Sequence, residues 1–160
     1  PDEWLGAEEK AYPLHLISNQ PKTKLHSQMD NGTLSSSIKI KGHQPLEMNP
    51  DDAKSRGITQ GDIVRVFNGR GSCLCGVNIT TDVMPGVVII STGSWYDPAE
   101  RDDPKSMCKH GNPNVLSPDI GTSKLGQGPA AHSCLAEIEI YDGPVQDITA
   151  FTPPEIIEKK

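Results

Sequence analysis

Gly61-Asp62-Ile63-Val64-Arg65-Val66-Phe67-Asn68-Gly69 is the stretch on which the fold turns. Gly61-Asp62 makes a turn, and the next five residues are apolar strand formers at every position but Arg65. Asn68-Gly69 is the strongest short hairpin signal a sequence offers, and a second strand follows from Cys73 through Ile79. Working forwards, Asp82-Val83-Met84-Pro85-Gly86 is another turn, and Val87-Val88-Ile89-Ile90 reads as a fully buried strand. Ala136-Glu137-Ile138-Glu139-Ile140-Tyr141 alternates cleanly and closes the sheet. Working backwards, Pro45 to Pro50 reads as a short strand that runs into a short helix over Asp51 to Gly57. Asn49 or Asp51 caps that helix, Pro50 suits its first turn and Gly57 ends it. Met29 to Gly42 predicts a loop and then a short strand around Ile38 and Ile40. Tyr12 to Ile17 is the first strand, with Leu14 and Leu16 on one face and Pro13 at its start or on a sheet edge. Short strands, one or two short helices and turns at regular intervals predict a mainly β chain, closed or nearly closed into a barrel.

The 160 residues are enough to bury a core without staples, and one domain over residues 12–142 is the simplest division. Residues 1–11 read as an acidic lead-in linker and residues 143–160 as a tail. With 34% hydrophobic residues and only 4% aromatic, the core is built from Val, Ile and Leu. Trp95 and Tyr96 are then its expected aromatic plugs, and Met48, Met84 and Met107 its gap-fillers. Arg56, Arg65 and Arg70 read as surface charges beside turns. A net charge of -6 argues against a nucleic-acid binder with a general basic surface. No apolar run approaches the length of a membrane-spanning helix. The chain opens Pro1-Asp2-Glu3-Trp4 without an initiator Met, and it reads as a piece of a longer protein. Cys73 and Cys75 lie two apart in a strand, on one face, and are poorly placed to bond each other. All four cysteines, with Cys108 and Cys134, are expected as buried thiols; a structural zinc site is the lesser alternative.

Two polar loops carry the chemistry. Residues 110–129 set Asn112, Asn114, Ser117, Asp119, Thr122, Ser123, Lys124 and Gln127 among glycines and prolines. Such a stiffened loop, rich in donors and acceptors, is where small polar ligands are read. Val115, Leu116, Ile120 and Leu125 are expected to anchor it. Residues 18–28 hold Lys22, Lys24 and His26, which taken alone are as well explained by a solvated loop.

Four segments in order carry a resemblance. They are Ser18-Asn19-Gln20-Pro21-Lys22-Thr23-Lys24-Leu25-His26-Ser27-Gln28; Met48-Asn49-Pro50-Asp51-Asp52-Ala53 with Arg56-Gly57-Ile58 and Gly61 to Val66; Gly93-Ser94-Trp95-Tyr96-Asp97-Pro98; and Gly111 to Ser117 with Gly121-Thr122-Ser123. The chain resembles the C-terminal, molybdopterin-dinucleotide-binding domain of the dimethyl sulfoxide reductase family. It is most similar to the branch of trimethylamine N-oxide and biotin sulfoxide reductases. Ser117 stands where the family usually has threonine, and Ser94 where alanine is common; both replacements keep the size small.

The resemblance implies a six-stranded double-psi β-barrel and a bis-molybdopterin guanine dinucleotide cofactor (bis-MGD) with molybdenum. It implies that the metal's protein ligand and half of the cofactor envelope lie in missing N-terminal domains of the same enzyme. An N-oxide or S-oxide as substrate, a cytochrome electron donor and a periplasmic location follow from the same likeness. No catalytic or metal-ligating residue is expected in this chain. Pyrophosphate needs backbone N–H groups and cations, and pterin and guanine edges need paired donors and acceptors. The resemblance therefore assigns Asn19, Gln20, Lys22, Leu25, His26, Ser27 and Gln28 to the pterin end. It assigns Asn112, Asn114, Ser117 and Thr122 to a second surface. Asp119 either pairs with a cofactor amino group or caps Gly121 and Thr122 as an Asx-turn. Gln127 either reaches the pterin or stays at the surface. Two other readings of a double-psi barrel remain: a protein-interaction module without cofactor, and a self-processing decarboxylase, which needs more than Gly71-Ser72 and Gly93-Ser94.

Overall fold

Six strands close on themselves: β1 (Leu14–Ile17), β2 (Pro45–Met48), β3 (Ile63–Phe67), β4 (Ser72–Ile79), β5 (Val87–Ile90) and β6 (Cys134–Ile140). The computed structural model describes residues 8–154, 156 and 157. Strand order around the barrel is β1-β5-β2-β4-β3-β6, returning to β1. β1 with β5 and β2 with β4 run parallel, and the other four pairings are antiparallel. This is the double-psi arrangement the resemblance implies. Closure leaves no sheet edge, so every strand finds both neighbours within the chain.

Alternation along the strands fills the interior. Leu14 and Leu16, Leu46 and Met48, Val64 and Val66, Val88 and Ile90, and Ala136 and Ile138 are all buried. A Leu-to-Ala change at such a site costs about 2–5 kcal/mol. β4 departs from alternation, with Cys73 to Val77 all buried. Its second face is covered by residues 108–115 and by Ile40, which lies where a Cβ on Gly76 would go. β5 was expected to be buried on both faces, yet Val87 and Ile89 are only half-covered.

The β3–β4 hairpin forms at the expected place, pairing Ile63 with Gly76 through Phe67 with Ser72. Its turn is different in kind. Neither Asn68 nor Gly69 has a positive φ, so the type I′ turn that Asn-Gly favours is not used. Asn68 is instead buried: its Nδ2 donates to the carbonyls of Leu116 and Leu135, both at 2.9 Å, and its Oδ1 accepts from Arg70 N. It clips the hairpin to the second polar loop and to β6.

Among the described residues, three short α-helices decorate the barrel: α1 (Glu8–Ala11), α2 (Thr33–Ile38) and α3 (Pro50–Ser55). α3 follows its sequence signals closely. Asn49 Oδ1 accepts from Asp51 N, Pro50 opens the helix and Gly57 (φ 67°) closes it. Ile58 N donates to Ala53 O and Gly57 N to Lys54 O, which completes a Schellman motif. α2 overturns the strand expected around Ile38. A closed barrel has no edge to accept a seventh strand, and Ile40 only bridges to His43. α1 ends the segment expected as a linker; the rest of that segment, residues 1–7, lies outside the described residues.

Trp95 and Tyr96 are not core plugs; they are 38% and 48% exposed, and aliphatic residues fill the barrel without them. Met48 fills the core as expected, whereas Met84 sits exposed in its turn. All four cysteines are buried thiols outside any disulfide, and no metal-binding cluster forms among the described residues. Residues 143–154 contain no helix or strand, yet they do not behave as a tail. Asp97 Oδ2 accepts from Thr149 N (2.6 Å) and Ala150 N (3.0 Å), and Asp97 Oδ1 accepts from Thr149 Oγ1 (2.7 Å). This strap lies against the barrel end that carries both polar loops.

Candidate cofactor site

The site is built on a buried carboxylate. Asp30 is fully buried, just beyond the first polar loop, and draws together four parts of the chain. Its Oδ1 accepts from Lys24 Nζ (2.6 Å), Lys39 Nζ (3.0 Å) and Ser35 Oγ (3.3 Å), and its Oδ2 from Trp95 N (3.0 Å). Lys24 Nζ donates further to Gln44 Oε1 at 3.0 Å, and Ser94 Oγ donates to the same oxygen at 2.7 Å. Burial pushes the Asp30 carboxyl up, but the hydrogen bonds from Lys24, Trp95 N–H and Lys39 outweigh it and hold it below its ordinary value. Burial lowers Lys39, against the opposing pull of Asp30. Removing one member of such a buried ionic group costs far more than forming it gains.

His110 stands 3.8 Å from Asp30 at the root of the second loop. Its Nδ1 lies 3.1 Å from the Trp95 carbonyl, which can only accept, so Nδ1 carries the proton. Nε2 is then a buried acceptor without a donor among the described residues. Burial first, and the charge of Lys39 next, push the His110 pKa down to about 4. The ring is neutral at ordinary pH.

Both polar loops are tied to Trp95. Trp95 Nε1 donates to Ser27 O (2.7 Å) on the first loop, and the Trp95 carbonyl takes the His110 bond on the second. Gly93 lets the first loop approach: a Cβ there would fall 1.8 Å from His26 O. Leu25 to Gln28 make a tight turn, with Gln28 N donating to Leu25 O and His26 held at φ 49°. Asn19 sits back from this turn, accepting at Oδ1 from Ser91 Oγ and at its carbonyl from Thr92 N. Asn19, Gln20 and Lys22 share a wall of a cavity of about 480 Å³ whose other sides include Ile38, Ile40 and Ile89.

The second loop divides in two. Up to Leu116 it is anchored: Asn112 Oδ1 accepts from Asn114 N and opens a 3₁₀ turn, and Leu116 is fully buried. Ser117 Oγ donates back to Pro113 O at 3.3 Å. Beyond that the expected anchors fail, since Ile120 is 62% and Leu125 99% exposed. This half bonds to itself, with Thr122 N donating to Gly128 O and Gln127 N to Ser123 O. Asp119 accepts no hydrogen bond among the described residues, so the Asx-turn to Gly121 and Thr122 is not formed. Gln127 is exposed, with Nε2 3.4 Å from Lys124 O. The structure therefore brings the 25–28 turn and the 110–116 segment to a common base around Trp95, while Asp119, Thr122 and Gln127 stand further out.

Comparison with known proteins fits this geometry. The family described as "Molydopterin dinucleotide binding domain" matches residues 14–135. The chain belongs to this family. It is 46% identical over 158 residues to dimethyl sulfoxide/trimethylamine N-oxide reductase of Rhodobacter capsulatus, covering 99% of the chain and 19% of that relative. It is 48% identical over 150 residues to trimethylamine-N-oxide reductase of Salmonella typhimurium, covering 93% and 18%. Biotin sulfoxide reductase of Cereibacter sphaeroides is 47% identical over 147 residues, covering 92% and 19%. The chain thus spans about a fifth of the length of these curated relatives. Among solved structures, acetylene hydratase from Pelobacter acetylenicus superposes with a TM-score of 0.66 at 18% identity, over 84% of this chain and 19% of that one. That likeness concerns the fold alone. None of these relatives supports the interaction-module or decarboxylase readings.

The residues present fit the family's ligand. Lys22, His26, Gln28 and Asp119 have exposed side chains that make no hydrogen bond or ion pair among the described residues. The Asn114 side chain is likewise exposed and uncommitted, its backbone N–H alone being used. These are a cation, an imidazole, two amides and a carboxylate, the set that phosphate and heterocycle edges need. Sequence reading missed Asp30, Lys39, Gln44 and His110, and took Lys24 for a loop charge. Their spacing follows no period, because what joins them is the return of distant loops to one barrel end.

Proposed function

We propose that this chain is the part of a molybdenum oxidoreductase that binds molybdopterin guanine dinucleotide. The full-length enzyme reduces an N-oxide or S-oxide such as trimethylamine N-oxide. The observation that carries this reading is the uncommitted polar set on two loops braced from beneath, on a chain of this family. Bound, the cofactor supplies oxygen-atom transfer at its molybdenum. This chain's residues bind and orient it: Leu25 to Gln28 offer backbone groups and the His26 imidazole, and Lys22 offers positive charge. Asn112, Asn114 and Ser117 face the opposite edge with amides and a hydroxyl, and Thr122, Asp119 and Gln127 close over it from the outer half-loop. Asn19 and Gln20 support the first loop from behind.

The metal's protein ligand and the substrate pocket belong to the remainder of the polypeptide, so the isolated chain is expected to be inactive. A periplasmic location and a cytochrome electron donor complete the proposal; cell fractionation and reduction assays with periplasmic cytochromes test them. The direct test is an NMR titration of the chain with GDP, with ADP as control. Shifts confined to residues 25–28 and 112–122, larger for GDP, are expected; equal shifts spread over the surface would overturn the assignment. In the full-length enzyme, Asn114→Ala and His26→Ala should lower molybdenum content while the barrel stays folded. Normal molybdenum in both would sink the site.

A further inference from the structure

Phe151, on the strap that the sequence reads as tail, touches three members of the site's base at once. Its ring meets Trp95 edge-on at 5.2 Å and His110 at 5.0 Å, and Lys39 Nζ lies 5.8 Å from its centroid. The strap is fastened by charge and backbone together. Asp97 accepts from the Thr149 and Ala150 amides, and Lys109 Nζ donates to Asp147 O (3.0 Å) and Thr149 Oγ1 (3.2 Å). Asp97 and Lys109 are themselves 3.5 Å apart and almost wholly buried. Burial pushes the Asp97 carboxyl up, but its bonds to Thr149 and the charge of Lys109 hold it below the ordinary range. An exposed tail would not be given a buried ion pair as its anchor.

Charge balance explains what the ring does. Lys24 and Lys39 bring two ammonium groups to one carboxylate, and His110 is neutral, so the buried group carries one excess positive charge. Lys24 spreads its charge over Asp30, Gln44 Oε1 and Ser94. Among the described residues, Lys39 has only Asp30 and the face of Phe151. An aromatic face stabilises a cation and excludes water from the ion pair beside it.

We infer that Asp97 and Phe151 are positioning residues for the cofactor site: Asp97 fastens the strap, and Phe151 seals the Lys24–Asp30–Lys39 group that holds the roots of both loops. This rests on the loops being the cofactor-binding surface. With the ring removed, water reaches Lys39 and His110, and the bond from Trp95 N to Asp30 weakens. Trp95 then loosens its hold on Ser27 and His110, which are the roots of the two loops. The groups facing His110 are Asp30, Lys24 and Lys39, with the Lys109–Asp97 pair behind the strap. Once hydrated, His110 takes up a proton in mildly acid solution and adds a third cation to the group.

The test uses Phe151→Ala, Phe151→Tyr and Asp97→Asn. In the 160-residue chain, amide exchange at Trp95 should speed up by about tenfold in Phe151→Ala, less in Asp97→Asn, and return to the parent rate in Phe151→Tyr. In the full-length enzyme, molybdenum and acid-released GMP per polypeptide are followed during dialysis at pH 5.5 and pH 8. Phe151→Ala should lose cofactor about tenfold faster than the parent at pH 5.5 and less so at pH 8, where His110 stays neutral. Phe151→Tyr should restore a flat pH profile. Parent-like retention at both pH values in Phe151→Ala would overturn the inference, whether or not exchange at Trp95 had changed. Normal molybdenum in Asn114→Ala and His26→Ala would instead overturn the binding assignment and leave the exchange result standing on its own.

Discussion

Residues 18–28 and 117–129 look alike as sequence: both are polar, both carry lysine, and both lack a regular period. In the structure they are held by different means. The first loop is nailed by the buried Lys24–Asp30 pair and by the Trp95 indole on Ser27. The second, beyond its anchored root at Leu116, is held mainly by hydrogen bonds to itself and leaves Leu125 almost wholly exposed. Polarity in a loop therefore says little about rigidity; what matters is whether one charge goes under the surface and finds a partner there. A braced loop suits the part of a site that must be preorganised. The freer one suits a flap completed by contact with the ligand or with the rest of the polypeptide.

The sharpest way to break this contrast is Asp30→Ala, which strands two ammonium groups in the interior. It should cost about 3–5 kcal/mol, read by urea unfolding, and should loosen residues 25–28 before the barrel. A loss under about 1 kcal/mol would mean that the first loop is no better braced than the second. Acid should act on the same base. The folded His110 pKa of about 4 lies below its ordinary 6.5, so the unfolded chain takes up the proton first. Stability is then full above pH 6.5 and falls as pH drops towards 4, by roughly 3 kcal/mol. Asp30 and Asp97 are depressed despite burial, because their hydrogen bonds outweigh it. Their contribution is present above the ordinary carboxylate range and is lost as pH falls through their lower folded values. His110→Asn should flatten the upper part of this decline; an unchanged profile would remove His110 from it.

Asn68→Ala probes the root of the second loop. It removes the two Asn68 Nδ2 bonds to the carbonyls of Leu116 and Leu135, the first of which keeps the Arg70 Nε donor at 2.6 Å, and should cost about 1–3 kcal/mol in thermal unfolding. The effect should appear at residues 110–116 and not at 18–28. Leu125→Ala is the smallest change. With nothing packed on the side chain, it should shift unfolding by less than about 0.5 kcal/mol. A larger loss in this chain would show the outer loop to be anchored after all.

Local signals were legible wherever the physics is local. The α3 cap and stop, the position of the β3–β4 hairpin and the alternation of β6 from Ala136 to Glu139 follow from residue type and neighbours a few positions away, whereas Ile140, expected on the inner face, is exposed. The same is true of the four buried thiols. Family motifs located both loops, because their order along the chain is itself information. Misreadings arose where the outcome depended on barrel closure. Ile38 became helical because no sheet edge was open, and Trp95 was freed from the core because aliphatic side chains already filled it.

Sequence by itself located the six barrel strands, the family and the residues that can offer hydrogen bonds to a dinucleotide. Tertiary structure alone decided which of those residues are spent in holding the site and which are left to bind. Lys24 and Lys22 are two positions apart and chemically identical, yet one is buried against Asp30 and the other is exposed and uncommitted. The physical reason is that burial of a charge is decided by its partners. The partners of Lys24, namely Asp30, Gln44 and Ser94, meet only when β2 and β5 enter one closed barrel and carry their flanking loops to the same end.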